Sequence, residues 1–320
     1  MKNFILKINR ALAAKKKMYL FLAAALCCTT VANARIYKDP LYYEENESTE
    51  TAYVTYDKDN SENYQSLSTY PYVVVPDYFH VADYSQTVYY NVVGIGEKAF
   101  RYSPLKWISL AEGTTYIGNN AFQFCSALET VEFKAIMGTI TNIGDYAFYQ
   151  CSALKDFKWE NVVIQRISPF AFYQCYGLDS VALNDGLLTI DEKAFAHCTG
   201  MKMLSLPAST SVIGSMAFQG CTGLQTIYCY AVEPPQIEQN SFLNVTRENI
   251  TLYVPKGSFL AYRSNGWFGF DIVEMSDEQG IEDPTSDSSL KGKGKKLIKD
   301  GQLLIERNGK TYNALGAEVK

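Results

Sequence analysis

Residues 143–159 read IGDYAFYQCSALKDFKW, and residues 213–229 read IGSMAFQGCTGLQTIYC. Laid one on the other without a gap, they share Ile, Gly, Ala-Phe, Cys and Leu at the same offsets. Both end in two apolar residues at alternate positions. That last part, L-x-x-[apolar]-x-[apolar], has the two-residue period of a strand with one buried face. The part from Ile to Cys holds Ala-Phe in a tight turn or short helical segment on the opposite side of the unit.

The pattern extends both ways. Phe100, Phe122, Phe148, Phe172, Phe195 and Phe218 each follow an alanine, at spacings of 22, 26, 24, 23 and 23 residues, and Phe242, after Ser241, stands 24 residues further on. Five residues before each mark lies an isoleucine: Ile95, Ile117, Ile143, Ile167, Ile190, Ile213 and Ile237. Three residues after five of them come Cys125, Cys151, Cys175, Cys198 and Cys221, then Leu128, Leu154, Leu178, Met201 and Leu224. The strand pairs are Val131/Phe133, Phe157/Trp159, Val181/Leu183, Leu204/Leu206 and Ile227/Cys229. A fixed period of about 20–29 residues carrying these marks is the signature of a leucine-rich-repeat solenoid, here of about seven repeats over residues 95–249. One unit cannot bury its apolar positions; stacked units can, so every named position is expected to point inward, with rungs about 4.8 Å apart. Such an array builds no compact pocket and offers one long surface, so its expected work is binding.

The repeat cysteines recur once per rung and form a ladder. A tetrahedral metal site needs Cys or His converging on one point, usually in close pairs, which a ladder does not supply. Disulfides are compatible with export, but five successive positions give no pairing rule. A free cysteine is a good small core residue, so a buried, reduced ladder is the expectation and disulfides the alternative. Cys229 is an extra, at a strand core position.

The ends differ from the middle. Lys15–Lys17, the apolar run 18–31 and Ala32-Asn33-Ala34 make a signal peptide over residues 1–34, with a mature chain from near Arg35. A lipoprotein using Cys27 or Cys28 is the alternative, for which Leu26 and Cys27 are poor preceding residues. The apolar run falls short of the ~20 residues a bilayer-spanning helix takes, so no transmembrane segment is expected in the mature chain. Residues 35–94 read as an N-terminal β cap region, with two strand-like runs between Tyr70 and Gly96 and a loop at 44–50. Residues 250–275 read as a C-terminal cap, a strand at 250–254 followed by Phe259, Tyr262, Trp267 and Phe268 as bulk to close the core. Residues 276–299 are a polar linker. Residues 300–320 are a small β tail, with Asn308-Gly309 as a hairpin turn and Leu315-Gly316 as a second turn. Net charge is −5 and no basic patch stands out in the repeats, which argues against a nucleic-acid partner.

The repeated unit resembles the BspA-like leucine-rich repeats of bacterial surface proteins, IG-x-x-AF-x-x-C-x-x-L-x-x-[IV]-x-[LF]. The stretch VPKGSFLAYRSNGWFGFDIVEM, residues 254–275, is similar to the segment that closes such arrays in Bacteroidetes proteins. The first unit departs from the pattern, with Ser103-Pro104 where Cys is expected, and the 26-residue unit carries an insertion around 135–141. The resemblance implies a secreted or surface-attached chain, with members linked to adhesion to host proteins, bacterial aggregation and host-cell contact. It implies no catalytic residue and no cofactor. The ending RNGKTYNALGAEVK is similar to the end of type IX sorting domains; a terminal hairpin without sorting function is the alternative.

No chemistry assembles around the two histidines. His80 and His197 have no Cys or Ser-Asp partner with a reason to meet them, and His197 holds the variable position before a repeat cysteine. No HExxH, GxSxG or phosphate-loop motif occurs in the mature chain. Carboxylate pairs exist by number, but a solenoid face offers no dry site to shift their pKa. The expectation is a protein without catalytic activity, with two candidate partner-binding surfaces. One is the outward strand column: Thr130, Glu132, Asp156, Lys158, Ser180, Ala182, Met203, Ser205, Thr226 and Tyr228. The other is the turn side, where Arg101, Gln123, Tyr149, Tyr173, Ala196 and Gln219 follow the Phe marks, with Tyr149 and Tyr173 adjacent as a stacking platform. The leading partner is a host extracellular or bacterial surface protein; a glycan ligand and a structural envelope or matrix role are the alternatives.

Overall fold

The computed structural model describes residues 41–46, 51–55, 71–82, 87–134, 138–140, 142–157, 162–238, 240–275, 295–299, 302–307, 310–313 and 318–319. The segment expected as a signal peptide, Lys158, Trp159 and most of the expected linker lie outside the described residues. What is described is a parallel β-solenoid of about seven turns.

Each rung has two strand positions where the repeat pattern indicated one. The second lies at the isoleucine. Ile95, Ile117, Ile143, Ile167, Ile190, Ile213 and Ile237 stand opposite one another in a parallel ladder. From Tyr116–Ile117 onward these strands are two residues long. Two residues are too few to show alternation, so only the stacking of copies reveals them.

The segment from Ile to Cys is a run of hydrogen-bonded turns, with no helix. Within a rung, Ala147, Tyr149 and Cys151 N–H groups donate back to the Gly144, Tyr146 and Phe148 carbonyls; the alternate N–H groups of Tyr146, Phe148 and Gln150 donate forward to Pro169, Ala171 and Tyr173. The next rungs repeat this alternation. It requires a left-handed residue two before and two after each Phe, and twelve non-glycine residues adopt φ between 52° and 63° at those positions. Bulky Tyr102, Phe124, Tyr146 and Phe170 are among them. Each such conformation costs about 1 kcal/mol or more, and the forward hydrogen bonds hold it in place.

Inside, the seven repeat Phe rings stack along the axis, centroids 4.9–5.5 Å apart and planes within 1–14° of parallel. All are buried, and each contributes about 1.5–3 kcal/mol over an exposed ring. The five repeat cysteines are buried free thiols. Each donates to the carbonyl of the Phe one rung earlier: Cys125 to Phe100 at 2.9 Å, Cys151 to Phe122 at 3.1 Å, Cys175 to Phe148 at 3.2 Å, and Cys198 and Cys221 to Phe172 and Phe195 at 3.1 Å. The ladder therefore ties rung to rung through thiol hydrogen bonds.

On the Leu side the strands form two parallel sheets. Tyr72–Val74, Trp107–Leu110, Thr130–Phe133 and Asp156–Phe157 make one; Ser180–Ala182, Met203–Leu206, Thr226–Cys229, Thr251–Val254 and Asp271–Glu274 make the other. The insertion of the long unit is itself a strand, Gly138–Ile140, which pairs in parallel with Val162–Ile164 of the next rung.

The flanks correct several expectations. The acidic segment expected as a loop at 44–50 begins as strand: Tyr42–Asn46 pairs antiparallel with Thr51–Thr55, which joins the isoleucine ladder beside Thr87–Ile95. Its carboxylates hid the strand pattern. At the far end Trp267 and Tyr262 are buried as expected, but Phe268 is 60% exposed and Phe270 packs inside in its place. Trp267 and Phe270 close on Phe242, centroids 5.8 and 5.2 Å away, while Tyr262 Oη and Trp267 Nε1 donate to the Ala231 and Pro235 carbonyls. In the tail, Gln302–Arg307 pairs antiparallel with Lys310–Asn313, and Lys310–Asn313 with Glu318–Val319; the turns expected at Asn308-Gly309 and Leu315-Gly316 lie outside the described residues. Lys295–Lys299, read as linker from its lysines, is a strand paired to Gln302–Arg307.

Candidate partner-binding surfaces

The outward strand residues line up across rungs as parallel pairing requires. Thr130 stands opposite Trp107 and Asp156; Glu132 opposite Ser109. Ser180, Met203, Thr226 and Thr251 form one column, and Ala182, Ser205, Tyr228 and Tyr253 the next. All the named candidates on these described strands are partly exposed. They fall in two groups, because Thr130, Glu132 and Asp156 belong to the first sheet and the others to the second. Lys158 lies outside the described residues. The columns also carry large side chains: Tyr72 and Trp107 in the first sheet, Met203 in the second, and Tyr228 stacked on Tyr253, centroids 4.9 Å apart; burial and the neighbouring phenol raise the Tyr228 pKa. At its margin Lys155 pairs with Glu129 at 2.8 Å across rungs, lowering the carboxyl pKa and raising that of the amine. Both ends are exposed to water, which leaves such a pair little worth.

The turn side is different in kind. Tyr149 and Tyr173 stack face to face, centroids 5.0 Å apart and planes 5° from parallel. Phe124 meets Tyr149 edge-on at 5.5 Å, and His197 meets Tyr173 edge-on at 5.4 Å. Tyr102 stacks on Phe124 at 4.9 Å, and Tyr146 on Phe170 at 4.8 Å. Tyr146 and Phe170 in turn lean on Tyr149 and Tyr173, at 5.6 and 5.7 Å. Seven rings thus form one continuous, partly exposed strip over five rungs. Burial first, then the nearby phenols of Tyr173, Tyr146 and Tyr176, push the Tyr149 pKa up.

The repeat pattern indicated Tyr149 and Tyr173; it did not point to Tyr146, Phe170, Tyr102 or Phe124. Those four sit at the left-handed positions, where an aromatic residue is not expected. The signal available was their common offset, two residues before or after the repeat Phe. Of the other turn-side candidates, Gln123 and Ala196 are buried, and Arg101 and Gln219 are partly exposed. Among the described residues no group of three or more His, Cys, Asp or Glu is gathered to hold a metal ion. No helix among them is long and apolar enough to cross a membrane.

Residues 85–164 and 141–259 match the family model described as BspA type leucine-rich repeat region, in six copies. Together these spans cover more than half of the 320 residues. The chain belongs to the BspA-type leucine-rich repeat family.

Solved structures agree on the fold. A leucine-rich repeat protein from Bacteroides ovatus is similar at 23% identity and a TM-score of 0.51, over 68% of this chain and 55% of that one. A leucine-rich repeat protein of T. pallidum is similar at 20% identity and a TM-score of 0.51, over 73% of this chain and 96% of that one. The chain thus spans little more than half the length of the Bacteroides protein. No curated protein sequence matches it. BspA-type repeats are scaffolds for protein interaction, typically non-catalytic, and those of Bacteroidetes are typically on the surface or secreted.

Proposed function

We propose that this chain is an exported, non-catalytic adhesion protein whose repeat surface holds a host extracellular protein or a bacterial surface protein. The observation that carries this reading is the seven-ring strip on the turn side. Tyrosines and phenylalanines that stay partly exposed, on a backbone locked by forward hydrogen bonds, offer rigid apolar area with polar tips at little entropic cost. Such rings are the usual anchors of protein interfaces.

The strip is a poor sugar platform. A pyranose stacks on an open ring face, whereas Tyr149 and Tyr173 cover each other and their outer sides meet Phe124 and His197. What they offer to solvent is ring edges and hydroxyls. A protein partner suits these better. The signal peptide and the sorting-like ending support export and attachment at the surface. Under the same reading, residues 35–94 and 250–275 act as caps that cover the two open ends of the array.

The test is interferometry with the mature chain against extracellular-matrix proteins, bacterial surface proteins and glycans. Saturable binding to a protein, reduced at least tenfold by Tyr149→Ser with Tyr173→Ser or by Tyr228→Ser, is the expected result. Binding confined to glycans, or no binding to any protein, overturns the reading.

A further inference from the structure

At its N-terminal side the aromatic strip ends on Arg101, whose guanidinium lies over Tyr102 at 4.7 Å and over the Phe124 ring at 5.9 Å. The hydrogen bond it makes is to the Tyr102 hydroxyl, at 3.2 Å. No carboxylate of the described residues lies within ion-pair distance of it. The neighbouring turn cations differ: Lys98 is paired with Glu97 at 2.6 Å, Lys193 with Glu192 at 3.1 Å, and Arg166 with Asp191 at 2.6 Å. Among the described residues Arg101 therefore has no ion-pair partner, and two rings hold its guanidinium in one place. Beside it, the buried Nε of Arg101 and Oε1 of Gln123 both lack hydrogen-bond partners. These two residues hold the same column position on adjacent rungs, since Tyr102 N–H donates to the Gln123 carbonyl.

From these contacts we infer that the turn face of the first four rungs is a docking strip for an extended acidic segment of a partner protein. Its carboxylate sits on Arg101, and its apolar side chains lie across Tyr102, Phe124, Tyr149 and Tyr173. This rests on the protein-binding reading above and names the partner's chemistry. A stacked guanidinium is already ordered, so a carboxylate arriving there meets a pre-set planar donor group. Four rungs at about 4.8 Å span roughly 15 Å, the reach of about four or five extended residues at ~3.3 Å each. An acidic glycan shares the carboxylate but lacks the apolar side chains that the ring edges call for.

The experiment is selection of phage-displayed random dodecapeptides on the immobilised full chain. Enriched sequences are then made as fluorescein-labelled peptides and measured by anisotropy. The expected result is a consensus with Asp or Glu within about five residues of aromatic or branched apolar residues. Affinity falls at least tenfold in Arg101→Gln, falls less in Arg101→Lys, and weakens as NaCl rises. Leu260→Ser, 73% exposed on the C-terminal helix and away from both candidate faces, leaves it unchanged. Arg101 is only partly exposed, so a circular dichroism melt of Arg101→Gln that matches the parent is needed to rule out unfolding as the cause.

Peptides without an acidic consensus, or binding indifferent to Arg101→Gln, overturn the inference. So does failure to enrich any peptide. Binding lost in Tyr228→Ser but kept in Arg101→Gln overturns it while leaving the protein-binding reading standing. Binding of 3′-sialyllactose through Arg101, with no acidic peptide bound, moves the site to an acidic glycan and overturns both.

Discussion

The Cys151 thiol donates to the carbonyl of Phe122, one rung earlier, at 3.1 Å, and the same carbonyl accepts the backbone N–H of Cys125. The thiol thus supplies a second hydrogen bond across the rung boundary in a place where no water reaches. Cysteine suits the position because it is small, apolar in bulk, and able to donate weakly.

Removing that donor should weaken the array locally. Cys151→Ala takes away one hydrogen bond and leaves a small void, for an expected loss of about 1–2 kcal/mol. Cys151→Ser should lose at least as much, because its shorter C–O bond brings the hydroxyl less well to the carbonyl and buries a more polar group. Urea unfolding followed by circular dichroism checks both. A serine variant as stable as the parent would show that the hydrogen bond, and not the sulfur's volume, decides the residue.

The buried thiols also set a pH dependence. Burial pushes Cys229 up from 9.0 to about 11 and Cys221 to about 12. Below pH 9 these thiols are protonated in both folded and unfolded chains, so their contribution is complete. Between pH 9 and about 11 the unfolded chain releases protons that the folded chain keeps, so stability falls by about 1.4 kcal/mol per pH unit per thiol. Above that the folded thiols ionise as well and the contribution is gone. Urea midpoints at pH 8, 9 and 10 should fall in the parent and fall less steeply in Cys229→Ala. A midpoint that does not change from pH 8 to 10 contradicts the burial of these groups.

The repeated Phe, Cys, Leu and Ile could be read from sequence because each does one job in every rung, so its spacing is the fold. The second strand at the isoleucines could not, since two residues carry no alternation. Tyr42–Asn46 was hidden by its own glutamates, and Phe268 and Phe270 were indistinguishable as core until the chain turned at Gly269, where φ is 89°. For the surface, Tyr149 and Tyr173 were legible as neighbours, but not the rings that cover their outer faces. Those rings sit at left-handed positions, and the backbone that allows them exists only when rungs stack.

That backbone strain makes a sharp prediction. Met216, two residues before Phe218, has φ of 55° and is partly exposed. Met216→Gly removes the steric cost of the left-handed conformation, about 1 kcal/mol, against a similar entropic loss, so stability should stay level or rise slightly. Met216→Val places a β-branched side chain there and should lose about 1–2 kcal/mol. Thermal melts that rank valine above glycine would mean that this turn is not left-handed.

The C-terminal end of the Phe stack decides how the array stops. Phe242 is the last ring, and Trp267 lies 5.8 Å from it, fully buried, with Nε1 held by the Pro235 carbonyl at 3.0 Å. Trp267→Ala should cost about 3–5 kcal/mol and orphan that carbonyl. Because each rung is stabilised by its neighbours, the loss should be felt first in the last rungs and fade toward the N-terminus. Hydrogen exchange should speed at Phe218 and Leu224 well before Phe122 and Leu128. Uncovering Phe242 also bares apolar surface at the end of a stacked array, so the variant should self-associate at rising concentration in sedimentation runs. Uniform exchange along the whole solenoid would instead mean that the rungs unfold as one unit and that Trp267 is no terminal lock.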